Sequence, residues 1–179
     1  DSNGDTRMTS KLKTDVLETV SGSGTIALTN QLSGMTSASM ASGSVLQVVE
    51  GSSTSQFSST SQSWSDIGLS VSITPTSTSS KIKVEYSLQN IYLVAANNGA
   101  SFRIVRDSTP LFTPADNYML YTAVAGVYTS LSDVDVDSPA TTSAVTYKIQ
   151  MSVYNTNGLI KISELGRFQK TIIVTEIKG

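Results

Sequence analysis

Between Leu69 and Leu88 the chain alternates apolar and polar residues in two successive runs, and few patterns restrict a fold more. Leu69, Val71 and Ile73 interleave with Ser70, Ser72 and Thr74; Ile82, Val84, Tyr86 and Leu88 interleave with Lys83, Glu85, Ser87 and Gln89. A period of two sends one set of side chains to a core and the other to water, which is the rule of a half-buried strand and not of a helix. The connection Thr74–Ser80 holds Pro75 and a run of Ser and Thr. Proline cannot donate to a ladder, and hydroxyls favour local turn bonds. The connection is long enough to cross between sheets. Trp64–Val94 therefore reads as two inner strands of a sandwich that need not pair with each other.

The same rule recurs downstream. Val145, Tyr147, Ile149, Met151 and Val153 alternate with Thr146, Lys148, Gln150 and Ser152. Val45–Val49, Ser101–Arg106, Tyr118–Leu131, Leu159–Ile162 and Thr171–Ile177 read as further strands, with turns at Asn97–Gly99 and Asn155–Gly158. Ser52–Ser63, anchored by Phe57, reads as a weak edge strand or loop. About eight to ten strands so spaced predict an antiparallel jelly-roll sandwich over residues 44–179, an all-β head within the size of one domain.

Residues 1–43 are different. Leu12, Val16, Leu17 and Val20 share a helical face, but three turns alone are marginal. From Ser21 to Gly43, only short apolar islands such as Ile26–Leu28 interrupt small residues. Such islands cannot close a core by themselves. The segment reads as an arm and slender shaft whose cores are completed by partner chains, with a plain flexible linker as the other reading. The chain begins at Asp1 rather than Met, as a processed or partial product would.

Composition removes several function classes. The chain of 179 residues has no cysteine and no histidine. Disulfides, thiolate or imidazole metal sites, cysteine nucleophiles and Ser–His–Asp triads are thereby excluded. Charged residues make up 15% and the net charge is −2. Ser and Thr supply about 30% of residues, so hydroxyls carry the polarity that ions usually supply. Near-neutral charge offers no attraction to nucleic acid or anionic lipid, and no apolar run reaches the length of a membrane span. No cofactor is expected, nor membrane insertion.

Four groups of residues stand out as candidate sites. Asp133, Asp135 and Asp137 alternate with Val134 and Val136. On a strand the three carboxylates share a face, and three chains around an axis would gather oxygen ligands for Ca²⁺. The plainer reading is a solvated outer face with the valines turned inward. Tyr118, Tyr121 and Tyr128, with Asn97, Asn98, Asp116 and Asn117, are the pattern of aromatics and amides that grips a sugar receptor, although tyrosine is also an ordinary packing residue. Arg103 and Arg106 suit a pair with Asp107 or an acidic glycan, with a solvated strand edge as the plainer reading. The last strand is apolar on both faces, with Ile172 and Val174 on one and Ile173 and Ile177 on the other. A strand apolar on both sides is buried on both sides, so these four residues predict an interface between subunits. Asp66, Glu85, Glu164 and Glu176 form no local pair suited to glycoside hydrolysis.

Three segments carry a resemblance. SGMTSASMASGSVLQVV, SITPTSTSSKIKV and the final TIIVTEIKG resemble the C-terminal parts of tailed-bacteriophage fibre proteins, notably those of cyanobacterial and marine phages. LKTDVLETVSGSGTIALTN is similar to the shaft segment that often precedes such heads. The resemblance implies a virion protein: a homotrimeric tail fibre whose head is a jelly roll of the complement and tumour-necrosis-factor type. It implies first and last strands near the threefold axis, other virion proteins held through residues 1–43, and a host-surface glycan or protein as receptor, bound and not cleaved. The alternatives are a head fibre or decoration protein seated on the capsid, and a glycan-degrading tail spike.

Overall fold

A computed structural model describes residues 39–115, 119–156 and 158–179 of the chain. Most of the expected arm and shaft, and the candidates Asp116, Asn117 and Tyr118, lie outside the described residues.

Among the described residues eleven strands follow in order: β1 (Val45–Ser53), β2 (Phe57–Ser59), β3 (Ser65–Ile73), β4 (Lys81–Leu93), β5 (Asn98–Arg106), β6 (Thr109–Pro110), β7 (Leu120–Thr122), β8 (Val127–Asp137), β9 (Val145–Val153), β10 (Ile160–Ile162) and β11 (Lys170–Ile177). Every pairing is antiparallel. One sheet has the order β1-β11-β4-β10-β2, with β8 on the other side of β4. β10 and β11 lie end to end along β4, and β2 and β1 lie end to end along them. The second sheet has the order β3-β9-β5-β6, with β7 beside the start of β5. The chain thus crosses from one sheet to the other at six of the ten connections between these strands, staying within a sheet only where the short strands β2, β6, β7 and β10 join their neighbours. Each sheet is four ranks deep, β1/β2, β11/β10, β4, β8 against β3, β9, β5, β6/β7, and this is the winding of a jelly roll.

The alternation explains why these strands form. Ile67, Leu69, Val71 and Ile73 of β3, Ile82, Val84, Tyr86 and Leu88 of β4, and Tyr147, Ile149 and Met151 of β9 are buried together in one core. β3 and β4 sit in different sheets, as the length of Thr74–Ser80 allows. β4 keeps its core face beyond Leu88 only because an extra residue slips the register between Leu88 and Ile91. Asn90 takes a left-handed φ of 55° there. The bulge returns Ile91 and Leu93 to the core; an unbulged strand would turn both to water. Gly68, at φ 69°, makes the corresponding irregularity in β3.

Where the sheets meet near β1, a glycine is required. A methyl group on Gly51 would lie 2.4 Å from the Ser70 carbonyl oxygen, so a backbone would have to move. Gly51→Ala is expected to lower the unfolding free energy by roughly 1–3 kcal/mol. Thermal melts beside Ser52→Ala, whose site is exposed, check this; equal midpoints would defeat it.

The structure corrects three readings. Lys83 pairs with Val136 and Glu85 with Val134, so these valines point out from the sandwich, 53% and 51% exposed, not into it. Asp133, Asp135 and Asp137 lie opposite Tyr86, Val84 and Ile82, on the inward side. β8 is an edge strand, so its inward positions meet the rim of the other sheet. There Asp137 accepts from Arg106 at 2.6 and 2.7 Å and from the Tyr147 hydroxyl at 2.7 Å. Second, Ile172 and Val174 are fully buried in the chain's own core. Only Ile173 and Ile177 of the four are on the outer face. Third, Asn98 is 1% exposed and accepts the Asn155 amide at 3.2 Å, so it packs a loop and offers nothing to a receptor.

Candidate interaction surfaces

The outer face of the first sheet carries apolar residues where solvent-facing strands usually carry polar ones. Val45 and Val48 of β1 and Val134 and Val136 of β8 are exposed, and Ile173 and Ile177 of β11 are half-buried between them. Register places Glu50 opposite Ile173, and Glu85 opposite both Ile173 and Val134. Lys83 and Glu85 pair at 2.8 Å within this face. A shallow groove of about 390 Å³ runs along it, lined by Glu85, Ser87, Ser132, Val134, Thr171 and Ile173. Beneath, the buried Tyr86 hydroxyl has no hydrogen-bond partner among the described residues. Burial and the charge of Asp133 hold its ionisation above the ordinary tyrosine range.

The candidate receptor residues separate into two places. At one end of the second sheet, the Tyr121 hydroxyl donates to Asn97 Oδ1 at 3.3 Å. Its ring meets Tyr154 edge-on, with centroids 6.0 Å apart. Tyr128 is elsewhere, on the outer face of the first sheet. It stacks on Tyr92 of β4, centroids 4.2 Å apart and planes 7° from parallel.

Around Tyr128 the fold builds a small bonded network. Its hydroxyl donates to Glu164 Oε2 at 2.8 Å, and Lys161 Nζ donates to Glu164 Oε1 at 2.8 Å. Lys161 Nζ also lies 5.6 Å from the centroid of Tyr92, on the side away from Tyr128. The hydrogen bonds from Lys161 and Tyr128 hold the Glu164 carboxyl below its usual range, and the bond to Glu164 raises the Tyr128 hydroxyl. Glu164 opens a 3-10 turn over Glu164–Gly166. Its amide donates to Asn90 Oδ1 at 3.1 Å, so the turn rests on the bulge of β4. Ser163 and Leu165 both have left-handed φ, 55° and 59°. The single Ser163 hydroxyl hydrogen is shared between the Thr54 carbonyl, at 2.8 Å, and that of Phe168, pinning the loop from both sides. Two adjoining hollows of about 540 and 340 Å³ share Asn90, Tyr128 and Phe168. Tyr92, Lys161, Arg167 and Phe168 were not legible as site residues. They come from three separate segments, and only Tyr128 belonged to a recognisable aromatic cluster.

The remaining charges are engaged locally. Asp133 and Asp135 each accept the amide of the next residue, at 2.8 and 2.7 Å. Alternate side chains on a strand stand roughly 7 Å apart, too far to share one ion. Among the described residues no group of three or more acidic side chains gathers as a metal site, so the calcium expectation finds no ligand set within the chain. Arg106 pairs with Asp137, not with Asp107. Arg103 lies 4.3 Å over the Trp64 ring and donates to Gln150. Of the four carboxylates weighed for hydrolysis, Asp66 bonds Lys148 and Gln150, Glu85 bonds Lys83, Glu164 bonds Lys161, and Glu176 bonds Gln47, Thr76 and Ser80.

Strand order and outer face together define the class: a jelly roll with an apolar face left uncovered in the single chain. No protein-family model matches the chain, and no curated protein matches it. Among solved structures it is similar to VP2 of infectious bursal disease virus in a subviral particle, at 13% identity and a TM-score of 0.44, over 74% of this chain and 37% of that one. A VP2 mutant in derived T=1 particles gives 16% identity and a TM-score of 0.45, over 86% and 40%. VP2 of the Gt strain gives 17% and 0.40 over the same shares. This chain spans about two fifths of the length of those proteins. The strand pairing makes the chain a jelly roll without them, and likenesses so slight add nothing about its role.

Proposed function

We infer that the chain is a virion structural protein, a tail-fibre segment whose jelly-roll head forms a homotrimer and attaches to a host-cell surface by binding without chemistry. The outer face of the first sheet carries the reading. Four exposed valines, with Ile173 and Ile177 between them, are stranded on one side of a single chain. Contiguous exposed apolar surface of this kind marks an interaction site. Two further copies of the chain, packed around a threefold axis, are its natural cover, because closed symmetric assemblies of identical chains are the common solution. Three identical heads would then gain avidity from individually weak receptor contacts. The fibre-like segments noted in the sequence supply the virion context, with residues 1–43 as the attachment to other virion proteins.

Light scattering during size exclusion tests the assembly. The expected mass is three times the 18.9 kDa of one chain; a single-chain mass would overturn it. Gold-labelled antibody against the head, viewed on intact particles, tests the placement, with label expected at the tail and not over the shell. Release of oligosaccharide from host polysaccharide would defeat the binding-only reading.

A further inference from the structure

We propose that Asp133 and Asp135 close the free edge of β8 against strand addition, so that a further copy of the chain cannot extend the first sheet. The proposal goes beyond the assembly reading and does not rest on it, because it concerns the edge of the sheet and not the face that the valines occupy.

A strand at the margin of a sheet leaves alternate amides and carbonyls unpaired, a template for another strand. Most margins of this sandwich are blunted. β6 is two residues long and contains Pro110, which has no amide to offer. β2 and β7 are three residues long. β3 is broken by the irregularity at Gly68, and β1 by one between Val45 and Gln47. β1 and β3 also close on each other, with Gly51 against the Ser70 carbonyl. β8 has none of these devices. It runs 11 residues, from Val127 to Asp137, and pairs only with β4, and the extra residue of that pairing lies in β4. Its second half carries the exposed Val134 and Val136, the β-branched type that a pairing strand favours.

The aspartates supply what is missing. Amides two residues apart on a strand point the same way, so one alternate set of β8 faces β4 and the other faces open space. The Val134 amide donates to Asp133 Oδ1 at 2.8 Å, and the Val136 amide to Asp135 Oδ1 at 2.7 Å. Both amides belong to the open set, and both are already bonded within the chain. A strand approaching this edge finds the donors occupied, and its own carbonyls meet two carboxylates that repel them. The DVDVD run thereby joins two valines for the face of the sheet with two caps for its edge. An open edge beside an apolar face would let copies add without limit, whereas a closed symmetric assembly needs contacts that stop.

Light scattering on the full chain over a range of concentrations tests the edge. Asp133→Thr with Asp135→Thr removes both caps and keeps a polar, strand-forming side chain at each position. Its mass should rise with concentration to at least about twice the wild-type value, since each edge contact joins two copies. Asp133→Asn with Asp135→Asn keeps an acceptor oxygen at each position and should hold the wild-type mass. Both pairs bring the net charge from −2 to 0, so the acceptor alone separates them. Amide exchange on the wild type needs no variant, and it decides alone if the threonine pair does not fold. After allowance for intrinsic rates, the Val134 and Val136 amides should exchange about fivefold more slowly than those of Ser130 and Ser132, which face the same side with no acidic residue before them. The proposal is overturned if the threonine pair keeps the wild-type mass at every concentration, if the asparagine pair grows as the threonine pair does, or if the four amides exchange alike. All masses are read against the wild type, so a wild-type mass of one chain would remove the trimer and leave the capped edge standing.

Discussion

Glu176→Ala is expected to lower the unfolding free energy by about 3 kcal/mol, among the largest effects of any single substitution in this chain. Glu176 is fully buried at the end of β11. Its carboxylate accepts from Gln47 Nε2 at 2.6 Å, the Thr76 amide at 2.7 Å, the Thr76 hydroxyl at 2.8 Å and the Ser80 hydroxyl at 2.6 Å. One side chain thereby ties the β3–β4 connection and β1 to the last strand. Alanine leaves the buried Ser80 hydroxyl and the Thr76 amide without their acceptor, and unmet buried donors cost more than the bonds were worth. The thermal midpoint should fall by roughly 6–12 °C. The charge state gives a second signature. Burial alone would raise the Glu176 carboxyl, but the bonds from Ser80, Gln47 and Thr76 outweigh it and hold the group below its ordinary value of 4.5. A depressed folded value means the stabilisation is complete above the unfolded value and is lost as pH falls through the folded one. Wild-type stability should therefore drop below about pH 4.5 more steeply than that of Glu176→Gln, which has no charge to lose there. Urea titrations from neutral to acid pH measure both. Parallel pH profiles, or an unchanged midpoint for the alanine variant, would show that these bonds do not hold the loop.

The double substitution Val134→Asp with Ile173→Asp is expected to convert the proposed trimer to folded monomers. Both residues line the outer groove, facing away from the core. In an isolated chain a carboxylate there stays in water, and its cost is the repulsion from Glu85 and, at position 173, also from Glu50 on the neighbouring strands, up to about 1 kcal/mol each. In an interface it would be buried unpaired in each of three copies, a penalty of several kcal/mol per contact. The mass should fall from three chains to one at 18.9 kDa, with the far-ultraviolet circular dichroism of the sheet unchanged. Ile172→Asp is the contrast: its side chain is fully buried in the chain's own core, so that variant should fail to fold. A double variant that keeps the trimeric mass would remove the valine face as the interface.

The two isoleucines show how much the chain reveals about itself. The apolar character of both faces of Thr171–Ile177 is plain in the residues, but which face belongs to the core follows from pairing with β1 and β4. The DVDVD run shows the opposite failure. Hydropathy turns its valines inward, and the register with β4 turns them out, because Tyr86, Val84 and Ile82 already commit the inward positions of the neighbouring strand. Lys170 and Glu176 mislead in a third way. Both share the phase of Ile172 and Val174 and are buried with them. Lys170 Nζ donates to the Ile67 carbonyl at 2.9 Å, as Glu176 accepts from the loop at the other end of the strand. At the ends of a sandwich, inward positions meet loops with polar backbone to satisfy, so charge there is no sign of exposure.

The network at Tyr128 was the least legible feature. Its parts come from β4, β8, β10 and the turn after β10, and only the pairing of Tyr92 with Tyr128 and Lys161 brings them together. Alternation along single strands was enough to determine an all-β sandwich in which β3 and β4 need not pair, and residue type alone excluded thiol and imidazole chemistry. Those properties depend on local period and residue type, which a linear chain carries in full. The outward valines, the carboxylates at the rim and the stacked tyrosines were decided only by the tertiary structure, because register and edge position are relations between strands distant in sequence. A one-residue slip such as the bulge at Asn90 reverses which side chains reach the surface.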